Sequence, residues 1–357
     1  MRAASLVAAA GAFGLVVALA PAVRALCIRR ELYDRPGPLK IHAKPVPRLG
    51  GIAVTTAILG GTLASTRFSL AHTWSLLVAV ALVFVVGVVD DVRGLSAAIR
   101  LVTQIAAGAI LWCGSARLMI PTGGPASLAA TCLLTVMFAN ALNFIDGADG
   151  IASGVAGIIA IYWAIFPWPA RDFIAPAVAW ALAGSCAGFL IFNFPAPAAN
   201  LFLGDGGSTV LGLCMAFLAM HFYGLPAARD PLLLFPLLLA GLPLLDMALA
   251  VVRRALRHAS PLFGDRSHFY DLLAARGYSA RVTALICYTI TVAFGCVSYA
   301  GMRIKTAPFL GLGGLCVGAF LVAAIRLGGL KLDKKGERAS TQVLSETGRK
   351  LSIRYRS

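Results

Sequence analysis

Eleven apolar stretches, each close to the roughly 20 residues that cross a ~30 Å hydrocarbon layer, constrain this chain more than any other feature. They lie at about 4–23, 49–66, 73–89, 99–116, 126–143, 149–167, 173–192, 206–223, 231–252, 282–300 and 307–326. In lipid, a backbone must satisfy its own hydrogen bonds, which a helix does and an open strand does not. The chain is 59% hydrophobic and only 13% charged over 357 residues, with a mean hydropathy of +0.84, and that balance excludes an ordinary soluble domain. The expected fold is an all-α polytopic membrane protein with about 11 transmembrane helices. The fourth stretch fits least well, because Arg100 and Gln104 lie in its first turns.

Orientation follows from positive charge, which accumulates on the cytoplasmic side of membrane proteins. With the N-terminus outside, 24 of the 31 Lys and Arg residues fall on inner segments and seven on outer ones. A periplasmic N-terminus and a cytoplasmic C-terminus are therefore expected. The first stretch ends in ALAPAV, as cleaved signal peptides do, but ten further stretches favour an uncleaved helix. The net charge of +16 reads as a topology signal and an attraction to anionic inner-membrane lipids, with no role in binding nucleic acid. The eight scattered cysteines form no CxxC pair and read as small buried apolar residues, neither a disulfide framework nor a zinc site. Residues 1–326 form one membrane unit, and 327–357 a basic cytoplasmic tail expected to be disordered.

Five polar segments interrupt the apolar pattern. NALNFIDGADGIASG, from Asn140, brings Asn140, Asn143, Asp146 and Asp149 at three-residue spacing, which on a tight helical turn places them on one side. VVDDVRGLS holds adjacent Asp90 and Asp91 at a helix C-terminus, where the helix dipole disfavours acids. Such a pair becomes tolerable beside a cation. FNFPAPAANLFLGDGGST places Asp205 and Ser208 among glycines at the start of a helix, a setting for phosphate. LKIHAKPVPRLGG offers His42, Lys44 and Arg48 as phosphate donors. The loop containing SPLFGDRSHFYDLL brings Arg266, His268 and Asp271. Asp246 lies inside a membrane stretch, where an ionisable group is costly unless paired or functional; site support and a structural pair with Arg253 are both open readings.

All five segments, including loops 24–48, 90–100, 143–149, 193–205 and 253–281, lie between an odd stretch and the next even one, so all face the cytoplasm. An oxygen-rich cluster of acids suits Mg²⁺, or Mn²⁺ in its place, rather than zinc. A Mg²⁺ site at the lipid boundary suggests phosphoryl transfer between one water-soluble and one lipid-borne substrate. A lipid-linked sugar or divalent-cation transporter is the rival class, but transporters concentrate ionisable groups near the bilayer midplane, often in repeated halves. Here the acids sit at one face.

In this order, IHAKPVPRLGG, DDVRGLSAAIRLVTQ, NALNFIDGADGIASG, PAPAANLFLGDGGST and DRSHFYDLL resemble the signature set of the polyprenyl-phosphate N-acetylhexosamine-1-phosphate transferases, over residues 39 to about 280. The resemblance implies a multi-pass enzyme of the bacterial inner membrane. It would transfer an N-acetylhexosamine-1-phosphate from a UDP-sugar to undecaprenyl phosphate and release UMP, initiating a cell-surface polysaccharide. By position, it implies Asp205 and Asp91 as Mg²⁺ ligands, and Asp90, Asp91, Asp205 and His268 as catalytic groups. Lys44, Arg48, Asn140, Asn143, Asp146, Asp149, Phe202 and Arg266 would bind substrate, with Phe202 stacking on uracil. A homodimer is a candidate assembly. Two departures stand out: Gly94 occupies the place of a third acid in the DDxxD pattern, and the histidine cluster is reduced to His268, followed by Phe269, Tyr270 and Asp271. SHFYD argues against the phospho-N-acetylmuramoyl-pentapeptide transferases of peptidoglycan synthesis, the alternative within the family, which carry consecutive histidines.

Overall fold

A computed structural model describes residues 2–35, 44–114, 116–118, 124–194, 198–225, 234–258 and 266–330. His42 and the tail beyond residue 330 lie outside the described residues. The described chain is helical: α1 (Arg2–Arg29), α2 (Gly51–Ser65), α3 (Leu70–Arg93), α4 (Ala97–Cys113), α5 (Gly124–Phe144), α6 (Ile151–Ile165), α7 (Ile174–Asn193), α8 (Asp205–Tyr223), α9 (Phe235–Leu239), α10 (Gly241–Leu256), α11 (Phe269–Ala274), α12 (Ala280–Ala300) and α13 (Thr306–Arg326). The exception is one antiparallel pair, β1 (Tyr33–Asp34) with β2 (Val46–Pro47). Among the described residues, seven helices, α1, α3, α5, α7, α8, α12 and α13, are long and apolar enough to cross a membrane, and α2, α4 and α6 are shorter apolar helices. The protein is a multi-pass membrane protein.

Each apolar stretch read from the sequence holds helix, but the ninth does not run through. It divides into α9 and α10 at Ala240. Pro243 explains the division, because its ring nitrogen has no hydrogen to donate to the carbonyl of Leu239 four residues back. Beyond α13, the Gly329 carbonyl accepts from Arg253 at 2.8 Å.

Helix α8 occupies the centre, buried along nearly its whole length and packed against α2, α3 and α5. On one flank α1 lies along α7 and α2, and on the other α10 and α12 close against α5 and α6. Two glycine pairs let this centre form. A Cβ on Gly51 would lie 2.5 Å from the Gly207 nitrogen, and one on Gly87 would collide with the Gly206 Cα, so α2 and α3 touch the first turn of α8 backbone to backbone. Ser96 and Ser279 cap α4 and α12 by accepting from Ile99 N at 3.4 Å and Val282 N at 3.3 Å.

Candidate active site

The carboxylates of α3 and α8 meet at one guanidinium. Arg100 Nη1, on the first turn of α4, donates to Asp90 Oδ2 at 3.1 Å and to Asp205 Oδ2 at 3.2 Å. Asp90 is buried, its other oxygen accepting from Leu95 N. By contrast, the Asp205 and Arg100 side chains remain 35% and 34% exposed, so the cluster opens on their side. Asn143, on the last turn of α5, donates to Asp205 Oδ1 at 2.7 Å and to Ser208 Oγ at 3.0 Å. Both Asp205 oxygens are thus held by neighbouring helices. Beside them a crevice of about 20 Å³ lies between α3, α4 and α8, walled in part by Val83, Val86 and Thr209.

Asp91 does different work. Its two oxygens accept from the backbone of α8, from Asp205 N at 3.0 Å and Gly206 N at 3.2 Å. An acid that ends one helix therefore caps the positive end of another, and the unfavourable dipole noted for α3 is answered by a favourable one across the chain. The implied role of Asp91 as a metal ligand fits this arrangement poorly, whereas Asp90 and Asp205 converge. No group of three or more His, Cys, Asp and Glu side chains gathers among the described residues. Magnesium does not require one, since it is held by one or two carboxylates, waters and substrate phosphates. An oxygen-only pair already spanned by a cationic group is therefore a donor set that suits Mg²⁺.

The three-residue spacing from Asn140 to Asp149 does not put four side chains on one side, because α5 ends at Phe144 and tight turns follow. Asn140 donates to Gln104 Oε1 at 2.6 Å, facing α4. Asp146 closes a turn, its amide donating to Asn143 O at 3.2 Å. Asp149 Oδ2 accepts from Ala199 N at 2.9 Å and ties the 198–203 segment to α6. That segment is laced to the β2 strand: Phe202 N donates to Pro47 O at 2.8 Å, and Gly50 N to Phe202 O at 2.8 Å. Lys44 is exposed on the same approach, and Arg48 lies 4.0 Å from Asp34.

A second cluster surrounds His268. Its Nδ1 lies 2.6 Å from Asp246 Oδ2, while Asp246 Oδ1 accepts from Phe269 N at 2.7 Å. Of the two partners considered for Asp246, the structure pairs it with His268 and the Phe269 amide, and Arg253 donates to the Gly329 carbonyl. His268 also packs on Tyr270, ring centroids 5.7 Å apart and nearly parallel, and meets the edge of Phe144 at 5.5 Å. Arg254 lies over the same Phe144 ring, 5.0 Å from its centre. Phe144 follows Asn143, so both clusters share the end of α5. Arg266 is half-exposed, 3.9 Å from Asp271. Burial pushes the Asp271 carboxyl up to about 6, with His268 and Arg266 opposing the rise.

Arg100 was not among the expected site residues, and Ser208 was expected only as part of a phosphate setting. Arg100 carried a signal all the same: the charge that made the fourth stretch a doubtful membrane helix is the charge that faces both acids.

The chain resembles known proteins along most of its length. The family profile described as Glycosyl transferase family 4 matches residues 73–223. Decaprenyl-phosphate N-acetylglucosaminephosphotransferase of Mycobacterium tuberculosis (strain ATCC 25618 / H37Rv) is 34% identical over 86% of this chain and 85% of its own. The chain belongs to glycosyl transferase family 4. Within that family it is also similar to the probable undecaprenyl-phosphate N-acetylglucosaminyl 1-phosphate transferase of Bacillus subtilis (strain 168), 28% identical over 82% of each chain. A more distant family 4 relative is undecaprenyl-phosphate alpha-N-acetylglucosaminyl 1-phosphate transferase of Escherichia coli (strain K12), 23% identical over 78% of each chain. The matched segment runs from α3 to the end of α8 and so includes the whole Asp90, Arg100, Asn143 and Asp205 cluster.

Proposed function

We propose that this protein transfers N-acetylglucosamine-1-phosphate from its UDP derivative to a polyprenyl phosphate and releases UMP, as the first membrane step of a cell-surface polysaccharide. The observation that carries the reading is the meeting of Asp90 and Asp205, from helices 115 positions apart in sequence numbering, on Arg100 at the mouth of a crevice with apolar walls. The family 4 relatives named above act on polyprenyl phosphates. Eleven spans, a periplasmic N-terminus and a cytoplasmic site in the bacterial inner membrane complete the reading.

In this mechanism an oxygen of the lipid phosphate forms a bond to the β-phosphorus of the UDP-sugar. The bond from that phosphorus to the oxygen bridging to the α-phosphorus breaks, and UMP leaves with the electron pair. A phosphate monoester has a second pKa of about 6, so the nucleophile is already largely dianionic and no side chain has to take a proton. Asp90 and Asp205 would hold Mg²⁺, which would neutralise charge on the transferring group. Asn143 fixes the Asp205 carboxylate, and Arg100 supplies a cation at the point where the lipid phosphate meets the carboxylates. Lys44, Arg48, Asp146, Phe202 and Arg266 border the same face and are assigned to the nucleotide and diphosphate.

The test is UMP release by purified protein supplied with UDP-N-acetylglucosamine and decaprenyl or undecaprenyl phosphate, with the lipid product weighed. Turnover should require both substrates and Mg²⁺, stop with EDTA, return with Mg²⁺ or Mn²⁺, and fall at least a hundredfold in Asp205→Asn, the scale on which one electrostatic group acts in catalysis. Lipid or ion flux without UMP release would replace this reading with transport. Single cysteines at Arg171 and Ser279 test the orientation, since a membrane-impermeant maleimide added outside intact cells should label only the first.

A further inference from the structure

The reduced histidine motif raises a question of its own: how one imidazole serves where consecutive histidines are the pattern. His268 stands at the start of α11 and is almost wholly enclosed, its side chain 6% exposed. Three elements hold the ring. Asp246 of α10 takes its Nδ1 edge at 2.6 Å, Tyr270 of α11 covers one face, and Phe144 of α5 meets it edge-on. Asp246 is itself buried, 3% exposed in its side chain, and its second oxygen is fixed by the Phe269 amide. Tyr270 is fixed in turn, its hydroxyl donating to the Phe144 carbonyl at 3.3 Å while its ring fills the space that a side chain at Gly147 would need. Among the described residues, Asp271 and Arg266 are the other charged groups of the α11 start, and Arg254 lies over the Phe144 ring.

We propose that Asp246 is a positioning residue that fixes the His268 proton on Nδ1 and holds the ring in one orientation, with Tyr270 as its backing plate. A buried carboxylate at hydrogen-bond distance from one ring nitrogen selects the tautomer and favours the imidazolium, which is a cationic donor. Asp246 touches no substrate in this scheme and acts only through the ring. Catalytic use of His268 rests on the transferase reading, but the proton assignment does not.

Asp246→Asn separates charge from packing. The Asn oxygen can still accept from Phe269 N, which turns its amide NH₂ toward Nδ1 and forces the ring proton to Nε2. The chain has five histidines, so ring-¹⁵N-histidine labelling with His268→Gln as the assignment control gives a readable spectrum. Wild-type His268 should show Nδ1 protonated, as the neutral Nδ1–H form or the imidazolium, and Asp246→Asn should show the neutral Nε2–H form. In the UMP-release assay the same variant should lose about 10- to 100-fold in kcat, the range for removing a partner behind a working histidine, with KM for the UDP-sugar within about threefold and an unchanged melting temperature. Tyr270→Phe should retain most of the rate, and Tyr270→Ala should lose it. An unprotonated Nδ1 in the wild type, or an unchanged His268 spectrum in Asp246→Asn, overturns the proposal. An altered spectrum in a protein whose wild type releases no UMP leaves the dyad standing and sinks the transferase reading instead.

Discussion

Asp90 and Asp91 are neighbours in sequence, yet the structure sets them to unlike tasks, and replacing each in turn should separate stability from chemistry. Asp91 receives two backbone N–H groups at the first turn of α8, at 3.0 and 3.2 Å. Hydrogen bonds to a charged group contribute about 1.5–3 kcal/mol each, so Asp91→Ala should cost about 3–6 kcal/mol. Against a total stability on the order of 5–15 kcal/mol, that variant should be barely folded. Asp91→Asn keeps one acceptor oxygen and loses the negative charge at the helix N-terminus, which predicts about half that loss. Asp90 behaves oppositely. Its Oδ1 bond to Leu95 N survives in Asn, and Arg100 retains Asp205, while one of two converging negative charges disappears. Asp90→Asn should therefore melt at or above the wild-type temperature and still lose nearly all turnover. The assay is thermal unfolding in one detergent, run beside UMP release on the same preparations. An Asp91→Asn variant that melts like the wild type, or an Asp90→Asn variant that melts well below it, refutes this division of labour.

Gly147→Ala should lower stability by about 1–3 kcal/mol, the usual cost of overpacking, because its Cβ would stand 2.6 Å from Tyr270 Cζ and closer still to the hydroxyl; adding Tyr270→Phe should restore part of the loss in the same melting experiment. The Asp271 carboxyl has a folded pKa of about 6 against an ordinary value of 3.8, so the folded state binds its proton more readily than the unfolded state does. Stability from this group should rise as pH falls from about 6 to about 4, by about 3 kcal/mol in all. Asp271→Asn should flatten that part of the melting profile, and an unchanged slope would show that the group titrates elsewhere.

The helices were legible because an apolar stretch in lipid has few other ways to satisfy its backbone. That the chain is helical and crosses a membrane several times followed from length and hydropathy, whereas the break of the ninth stretch at Ala240 did not, because it depends on Pro243 ending the run. The acids were legible as misfits. Their partners were not: the spacing of Asn140, Asn143, Asp146 and Asp149 suggested a common face, but the end of α5 at Phe144 sends Asn143 to Asp205 and Asp149 to Ala199. Arg100 and Asp205 are 105 residues apart, a pairing set by how α4 and α8 pack and not by any local pattern. Asp91 shows the same limit from the other direction, since nothing in its own segment points to the α8 amides from which its two oxygens accept.

The glycine contacts beneath α8 have a consequence for how such a protein can change. Where backbone rests directly on backbone, no side chain remains that could be enlarged or trimmed to shift one helix against another. The separation of Asp90 from Asp205 is therefore set by the thickness of the polypeptide itself. Sequence change can be taken up in the 44–48, 198–203 and 266–271 segments, while the spacing between the two carboxylates stays as it is.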